Sequence, residues 1–193
     1  MLFEFRSYQF GVGDALRYLD LLAGEGLPIV TGHLPFLGMW IAESGTLNML
    51  YHLWVYESLQ DRAKRRASLM ADERWTHGFV PKAFHLIGSQ HSSLAVSENE
   101  PDWLGTAIAR SGQVIRMQQT LFREPPGGWF LLSRLAFGQE PPSENEAVLR
   151  IVAGGRASER IVLTKASDLD IAEFESRDLL NIANFGPIAT SCQ

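Results

Sequence analysis

The chain has 193 residues, of which 46% are hydrophobic and 20% are charged, and its net charge is −5. This composition is typical of a globular protein with one large or two small domains, and the negative charge argues against nucleic acid as a general partner. The single cysteine, Cys192, excludes an intramolecular disulfide and a cysteine-based metal site. With no signal-like N-terminus and no apolar run of about 18 residues, we expect a cytoplasmic protein without a membrane partner.

Residues 2–10 alternate with a period of two, which predicts a first strand. One face of this strand carries Glu4, Arg6 and Tyr8, and the other carries Phe3 and Phe5. Asp14 is a suitable N-cap for a helix over residues 15–23. The glycines and the proline at positions 24, 26 and 28 predict that this helix is interrupted there.

Residues 36–42 and 48–56 predict two more strands, which a tight connection around Gly45 makes an antiparallel hairpin. One face of the second strand is apolar and is expected to pack against helices: Met49, Tyr51, Leu53 and Val55. The other face combines an amide, an imidazole, an indole and a phenol: Asn48, His52, Trp54 and Tyr56. Such a face lines a cavity or forms a polar interface.

Ser58 and Asp61 form an approximate capping box, which predicts a helix to about Met70. We expect its buried side to carry Leu59, Ala63, Ala67 and Met70, with Arg62, Lys64, Arg65 and Arg66 mainly solvated. A further helical turn capped by Asp72 is interrupted at Pro81, and residues 85–94 predict a fourth strand. The resulting order, strand-helix-strand-strand-helix-strand, is that of the ferredoxin-like α+β fold.

The polar residues 97–101 predict a linker, which separates a first domain of residues 1–97 from a second unit of residues 98–193. Beyond it, strands are predicted at 114–122, 148–152 and 160–164, a short helix or strand at 130–137, and a helix at 169–182. At an offset of 109 residues Gly154 matches Gly45 and Ser167 matches Ser58, which favours a degenerate second ferredoxin-like repeat. If residues 126–128 form a hairpin turn instead, the second half is an unrelated β-rich extension.

A set of residues in the first half stands at a characteristic spacing: Leu47-Asn48, His52-Leu53-Trp54, Tyr56, Ser58-Leu59, Arg62, Arg66-Ala67, Asp72 and Trp75. This set closely resembles the signature of the NIPSNAP family, and the resemblance extends over residues 2–95. It implies a ferredoxin-like domain of the dimeric α+β barrel type, in which two four-stranded sheets close face to face. The partner sheet comes from a second chain, as a homodimer, or from the tandem repeat, as an intrachain pseudo-dimer. The motif places Arg62 and Arg66 where they brace the helix against the strand.

Strand parity predicts a candidate site on the barrel-facing side of the sheet. Its members are Glu4, Arg6, Tyr8, Trp40, Asn48, His52, Trp54 and Tyr56. His52 is the candidate acid or base, and the two tryptophans suit stacking on a flat ligand. The five histidines show no metal-ligand spacing, so we expect neither a metal nor another cofactor.

The resemblance assigns no settled activity, since members of the family are mostly of unknown function, and two hypotheses remain. The first is a binding or interaction protein whose partner is a small apolar or aromatic ligand, with His52 as a structural residue. The second is a cofactor-independent enzyme, oxygenase- or isomerase-like, that acts on a small aromatic or carbonyl compound. The second hypothesis predicts a cavity of at least ~300 Å³ with His52 on its wall.

Overall fold

Eight strands form one closed antiparallel barrel in the computed structural model, which describes residues 1–115, 129–136, 138–139, 145–156, 159–165, 177–182 and 188. The strands are β1 Leu2–Phe10, β2 Phe36–Ala42, β3 Met49–Tyr56, β4 Ile87–Asn99, β5 Trp129–Leu135, β6 Ala147–Ala153, β7 Arg160–Lys165 and β8 Asp178–Ile182. Around the barrel they follow the order β1-β3-β2-β8-β5-β7-β6-β4. The barrel therefore closes within one chain, and the predicted α+β barrel fold is confirmed.

Each half of the barrel has the ferredoxin-like strand order. In the first half the order is β4-β1-β3-β2, and in the second half it is β8-β5-β7-β6. The hairpins β2–β3 and β6–β7 thus occupy equivalent places. The predicted linker is wrong over residues 97–99, because β4 continues to Asn99 and pairs with β6 there. The domain boundary at residue 97 stays a prediction.

Two helical elements cover the outer face of the first half. The first comprises α1 Asp14–Leu21, a π-helical turn Leu22–Gly26 and α2 Leu27–His33. The second comprises α3 Leu59–Met70, a π-helical turn Arg74–Phe79, α4 Val80–Ala83 and a 3₁₀ turn Phe84–Leu86, and α5 Asp102–Arg110 follows β4. The predicted interruptions at Gly24–Pro28 and Pro81 are wrong, because the chain stays helical there. The first π-helical turn contains Gly24 and Gly26, and Pro28 and Pro81 lie in the first turns of α2 and α4, where proline is tolerated. None of the helices described is long and apolar enough to cross a membrane.

A close helix–helix contact explains one of the glycines in the first π-helical turn. A Cβ atom built on Gly26 would lie 2.6 Å from Cε2 of Phe79. Only a residue without a side chain allows the two helical elements to approach this closely. In the same turn, Gly24 has no atom within 4 Å of a built Cβ.

Two separate apolar layers lie on the two sides of the first sheet. The barrel interior contains Phe3, Phe5, Trp40, Tyr51, Leu53 and Val55 from the first half, with Phe130, Leu149, Ile161 and Leu163 from the second. The outer layer contains Tyr8, Leu50, Trp54 and Tyr56 from the strands, with Leu19, Leu27, Leu69, Trp75 and Phe79 from the helical elements. Leu104 and Ala107 of α5 pack into the interior layer.

The predicted orientation of the sheet is wrong for most of the candidate site. Glu4, Arg6, Tyr8, His52, Trp54 and Tyr56 lie on the outer face beneath the helices, and the all-apolar row of β3 faces the barrel interior. Both faces of this sheet are buried, so apolarity alone does not say which face the helices cover. The apolar row of β3 faces the interior that the strands enclose. The polar row faces the helices, whose long side chains reach it.

Trp40 does face the barrel interior, as predicted, but an irregularity in the strand pairing places it there rather than regular alternation along β2. The pairing of β2 with β3 shifts by one residue between Phe36 and Gly38. This irregularity turns Leu37 and Trp40 inward, whereas Phe36 and Met39 join the outer layer. Asn48 lies in the turn before β3, with a φ of 57°, and is not part of the strand.

Several expectations for the second half and for α3 also need correction. Within the segment 130–137, for which a short helix and a strand were both considered, residues 130–135 lie in strand β5, and the helix predicted to end at 182 is wrong over β8. The helix α5 was not predicted, and Val114 and Ile115 are not in a strand. The four residues predicted for the buried side of α3 are all exposed, namely Leu59, Ala63, Ala67 and Met70, and Leu69 is the buried residue. Residues 116–122, 126–128, 166–176 and 192, on which other expectations rest, lie outside the described residues.

Candidate functional site

A cavity of about 240 Å³ lies between the outer face of the first sheet and the helical elements. The strands contribute Arg6, Tyr8, Phe36, Met39, His52, Trp54 and Gln90 to its wall. The helical side contributes Tyr18, Leu22, Leu27, Val30, Leu34, Arg66, Leu69, Met70, Trp75 and Phe84. The wall is mainly aliphatic and aromatic, and its polar groups come chiefly from Arg6, Arg66, His52 and Gln90.

The structure brings together half of the residues predicted for the site. Arg6, Tyr8, His52 and Trp54 line the cavity. Glu4 and Tyr56 lie on the same face of the sheet but belong to an adjoining ion-pair network. Trp40 points into the barrel and Asn48 lies in a turn, so neither contributes to the cavity. The volume is smaller than the ~300 Å³ expected for an enzyme pocket, although His52 is on the wall as that hypothesis requires.

The network beside the cavity is centred on the carboxylate of Glu4, which is fully buried. Arg62 donates to it through Nε and Nη2, at 3.1 and 2.8 Å, and Arg66 donates through Nη2 at 3.0 Å. The hydroxyl groups of Tyr56 and Ser92 also donate, at 3.2 and 2.8 Å. A buried charge is stable only when it is paired and hydrogen-bonded in this way.

The pKa of Glu4 shows which effect prevails in this network. Burial by itself would raise this pKa, but the hydrogen bond from Arg62 and the charge of Arg66 lower it from 4.5 to about 2. The carboxylate therefore stays ionised and fixes two residues one turn apart on α3 to strand β1. Arg62 and Arg66 brace the helix as the motif suggested, and the expectation that they are mainly solvated is wrong.

His52 is 3% exposed and lies between Tyr8 and Trp54 on the cavity wall. Nε1 of Trp54 donates to its Nδ1 at 2.8 Å, and the ring of Tyr8 meets the imidazole edge-to-face at 4.6 Å. An indole N–H only donates, so Nδ1 must accept and the neutral ring carries its proton on Nε2. That Nε2 atom is buried and has no hydrogen-bond partner among the described residues.

The environment of His52 favours the neutral imidazole. Burial lowers its pKa well below 6.5, and the charge of Arg6 lowers it further, against a smaller opposing effect of Glu4. His52 therefore meets the cavity as an uncharged N–H donor near neutral pH. In this tautomer Nε2 has no free lone pair, so it does not accept a proton as a general base would.

Arg6 forms the polar end of the cavity together with Gln90. Its Nη2 donates to Oε1 of Gln90 at 2.9 Å, and its Cζ lies 5.2 Å from the centre of the Tyr8 ring. Its Nε is 4.0 Å from Glu4, too far for a hydrogen bond, and is buried without a partner in the described part of the chain. The guanidinium of Arg6 thus has donor capacity left over.

Sequence reasoning missed the helical side of the cavity and two of its polar residues. Arg66 belonged to the recognised motif, and its i,i+4 spacing from Arg62 signalled a shared face. Gln90 has the same strand parity as Ser92, whose hydroxyl donates to Glu4. The helical residues carried no local signal, because ordinary core residues have the same composition.

The comparisons with known proteins agree on the first half of the chain. The NIPSNAP family model matches residues 3–99. The human protein NipSnap homolog 3A is 27% identical over 95 residues, which is 49% of this chain and 38% of that protein. A mouse relative, NipSnap homolog 3B, is 25% identical over 93 residues. The chain thus matches less than half the length of these curated relatives.

Two solved structures of NIPSNAP proteins also match about half of this chain. The protein Atu4242 from Agrobacterium tumefaciens is 39% identical and covers 49% of this chain and 90% of its own, with a TM-score of 0.47. An uncharacterised NIPSNAP domain protein from Burkholderia xenovorans is 34% identical, covering 50% and 93%, with a TM-score of 0.48. An anthrone oxidase-like protein, 12% identical, covers 95% of this chain and 92% of its own with a TM-score of 0.51, which shows the shared fold across both halves.

The matched segment contains the entire described site. Among the described residues, all those that line the cavity lie between Arg6 and Gln90, and the Glu4 network ends at Ser92. The family model covers these positions and half of the chain. The similar NIPSNAP structures are themselves described as uncharacterised or of unknown function. On this evidence the chain belongs to the NIPSNAP family, for which no specific activity is assigned.

Proposed function

We propose that this protein binds a small, largely apolar or aromatic molecule in the cavity between the first sheet and the helical elements. The observation that carries the proposal is a cavity of about 240 Å³ with an apolar wall and a few convergent polar groups. Binding sites for small molecules have this composition. The volume corresponds to about eight water molecules at liquid density, so a ligand of on the order of ten non-hydrogen atoms fits.

Packing elsewhere in the molecule supports a site outside the barrel. The interior is occupied by rings in mutual contact, with Trp40 and Trp103 each 5.6 Å from Phe130 between ring centres. Protein interiors normally leave few voids larger than a water molecule. A void of this size beneath the helices therefore favours a binding role over incomplete packing.

A cavity-filling substitution tests the proposal. In Val30→Trp the larger ring takes up space in the cavity, and we expect it to abolish binding of the neutral probe 3-phenylpropan-1-ol, measured by isothermal titration calorimetry. The control is Val12→Trp, since Val12 is 94% exposed and is not among the residues that line the cavity. Binding that survives Val30→Trp in a folded protein would overturn the proposed location.

A second candidate function is a cofactor-independent enzyme for a small aromatic or carbonyl compound. It is favoured by the unpartnered Nε2 of His52 on the cavity wall. In the tautomer that Trp54 imposes, His52 would donate to a carbonyl oxygen and stabilise developing negative charge, rather than remove a proton. If this candidate is correct, His52→Ala lowers the turnover number and leaves the affinity for the substrate unchanged. Steady-state kinetics on a compound that co-purifies with the protein would measure both quantities.

We also propose that a single chain is the functional unit, with residues 1–97 and 98–193 as two ferredoxin-like units of a pseudo-dimer. Closure of the barrel by the β2–β8 and β4–β6 pairs supports this arrangement over a homodimer. A cytoplasmic location likewise remains a proposal, supported by the single cysteine. Sedimentation equilibrium that gives a mass near 21.6 kDa is the expected result.

A further inference from the structure

We infer that the ligand of this cavity is a carboxylate, with an apolar body of about ten non-hydrogen atoms and one anionic head bound at the Arg6 end. The inference rests on the proposed ligand-binding function and adds the chemical class of the ligand. It follows from the balance of charges at the polar end of the cavity, from the supply of hydrogen-bond donors there, and from the apolar remainder of the wall.

Among the described residues, three guanidinium groups share one carboxylate at this end of the sheet, and Arg6 is the one that does not hydrogen-bond to it. Arg6, Arg62 and Arg66 converge on this end of the sheet, and Glu4 is the acidic residue that they meet. The oxygens of Glu4 already accept hydrogen bonds from Arg62, Arg66 and the hydroxyls of Tyr56 and Ser92, which fills their acceptor capacity. Arg6 is left with the neutral amide of Gln90. Three guanidinium groups and one carboxylate leave two positive charges in excess, and one further negative charge would halve that excess.

The N–H groups at the Arg6 end of the cavity also favour an anionic ligand. Arg6, Arg66 and His52 all line the cavity, and each has one buried nitrogen with no hydrogen-bond partner in the described part of the chain. All three nitrogens are N–H donors, given the tautomer of His52. These nitrogens are themselves enclosed, so a ligand in the cavity meets them through their positive partial charges, and a ligand with a negative charge gains most here. A carboxylate combines two acceptor oxygens with the negative charge, and its geometry matches a guanidinium.

The rest of the wall limits the ligand to a single charged group. Away from Arg6 the cavity is bounded by Leu27, Val30, Trp75 and Phe84, with no charged side chain among them. A second anionic group would be buried against these residues without a partner. A short aliphatic or phenyl-substituted chain therefore suits the body of the ligand.

Matched probes with the same body test this inference on the full chain: octanoate, 1-octanol and octylamine. We expect octanoate to bind more tightly than 1-octanol, by on the order of tenfold to a hundredfold, because a hydrogen bond to a charged group is gained. Octylamine should bind more weakly than either, because its cation meets Arg6. Isothermal titration calorimetry at neutral pH and low salt measures the three dissociation constants.

The substitution Arg6→Met removes the charge and keeps an unbranched side chain against Tyr8. It should weaken octanoate binding by the same factor and leave 1-octanol binding within about threefold of the original protein. Arg17→Met is the matched control, because Arg17 is 69% exposed and pairs with Asp14 on the outside of α1. This control should bind all three probes as the unsubstituted protein does.

The outcomes separate the carboxylate inference from the proposed function. Equal binding of octanoate and 1-octanol by the unsubstituted chain overturns the inference and leaves the ligand-binding function standing. Binding of none of the probes overturns both. If Arg6→Met fails to fold, as judged by circular dichroism, the comparison of the three probes on the unsubstituted chain still decides the question.

Discussion

Glu4 and His52 are buried on the same face of the sheet, and the fold treats their charges in opposite ways. Glu4 is ionised because two arginines and two hydroxyl groups donate to it. His52 is neutral because burial and Arg6 disfavour its cation. The result is a polar corner with a surplus of donors beside an apolar cavity, which is the physical basis of the proposed site.

Removing the charge of Glu4 should destabilise the protein markedly. In Glu4→Gln, Arg62 and Arg66 lose their partner while they remain partly buried, and we expect the free energy of unfolding to fall by about 3 kcal/mol. Urea denaturation at neutral pH measures the change. Glu25→Gln is the control, since Glu25 pairs with Lys82 at the exposed surface, where such pairs contribute roughly 0–1 kcal/mol. Equal losses in the two variants would contradict the role assigned to Glu4.

The pH dependence of this effect has a defined sign. The folded-state pKa of Glu4 is below its unfolded value, so its contribution is complete above pH 4.5 and is lost as the pH falls towards about 2. The shift corresponds to about 3 kcal/mol. The difference in stability between the original protein and Glu4→Gln should therefore shrink across this window. A difference that stays constant there would show that Glu4 is not the titrating group.

His52 predicts a second pH effect at higher pH. Its folded-state pKa lies well below 6.5, so the unfolded chain binds a proton that the folded chain does not bind. Stability should therefore fall as the pH decreases below 6.5, by up to about 1.4 kcal/mol per pH unit. In His52→Gln this part of the slope should be absent, which denaturation curves at pH 7.5 and 5.5 would show. An unchanged slope in the variant would argue that the pKa of His52 is not lowered in the fold.

At the scale of elements, a local sequence pattern predicts where helix α3 begins but not which of its sides is buried. Its start was predictable, and the hydroxyl of Ser58 accepts a hydrogen bond from the backbone N–H of Asp61 at 3.1 Å. Its buried side was not, because hydropathy assigns arginines to solvent. The buried carboxylate of Glu4 draws Arg62 and Arg66 inward and leaves Leu59 and Met70 exposed. The residue that determines the buried side of α3, Glu4, lies on strand β1, outside the helix sequence.

In the sheet, local alternation likewise failed to predict which face the helices cover and the register of one strand pair. Alternation in β1 and β3 identified the polar row correctly, and Arg6, Tyr8, His52 and Trp54 do line one site. It did not identify the side, because both faces are buried in a barrel whose other half lies far away in sequence. In β2 a single register shift separates Trp40 from the row. Parity arguments fail wherever such an irregularity occurs.

The contact between the two helical elements gives a prediction about their π-helical turn. In Gly26→Ala the added methyl group would lie against the ring of Phe79, and we expect a loss of about 1–3 kcal/mol in the free energy of unfolding. In Gly24→Ala the methyl group meets open space, so helix propensity should make the change neutral or stabilising by up to about 1 kcal/mol. Thermal unfolding of both variants measures the contrast. Similar melting temperatures would contradict the close approach of Gly26 to Phe79.

At the scale of the whole molecule, the first half was predictable and the second half was predictable only in part. The hairpin β6–β7 carried a clear alternation and a glycine turn, and it occupies the place expected for it. Strand β5 is an almost continuous apolar run, which fits a strand buried on both faces and a helix equally well. The pairs that close the barrel, β2–β8 and β4–β6, join segments far apart in sequence, and no local pattern encodes them.

Closure of the barrel also determines where a ligand can bind. The second half fills the barrel interior with Phe130, Ile161 and Leu163. The cavity described above lies on the outer side of the first sheet, beneath the helical elements, within the family segment. The described strands of the second half thus support the first sheet from its inner side, and the described residues of the cavity wall all come from the first half.

The location of a bound probe tests this account most directly. Nuclear Overhauser effects between 3-phenylpropan-1-ol and the isotope-labelled full chain would identify the side chains in contact with the probe. We predict contacts to Leu27, Val30 and Trp54, which line the cavity on its two sides. Contacts to Phe130 and Leu163 in the barrel interior, or no contact at either place, would overturn the claim that the protein binds its ligand between the sheet and the helices.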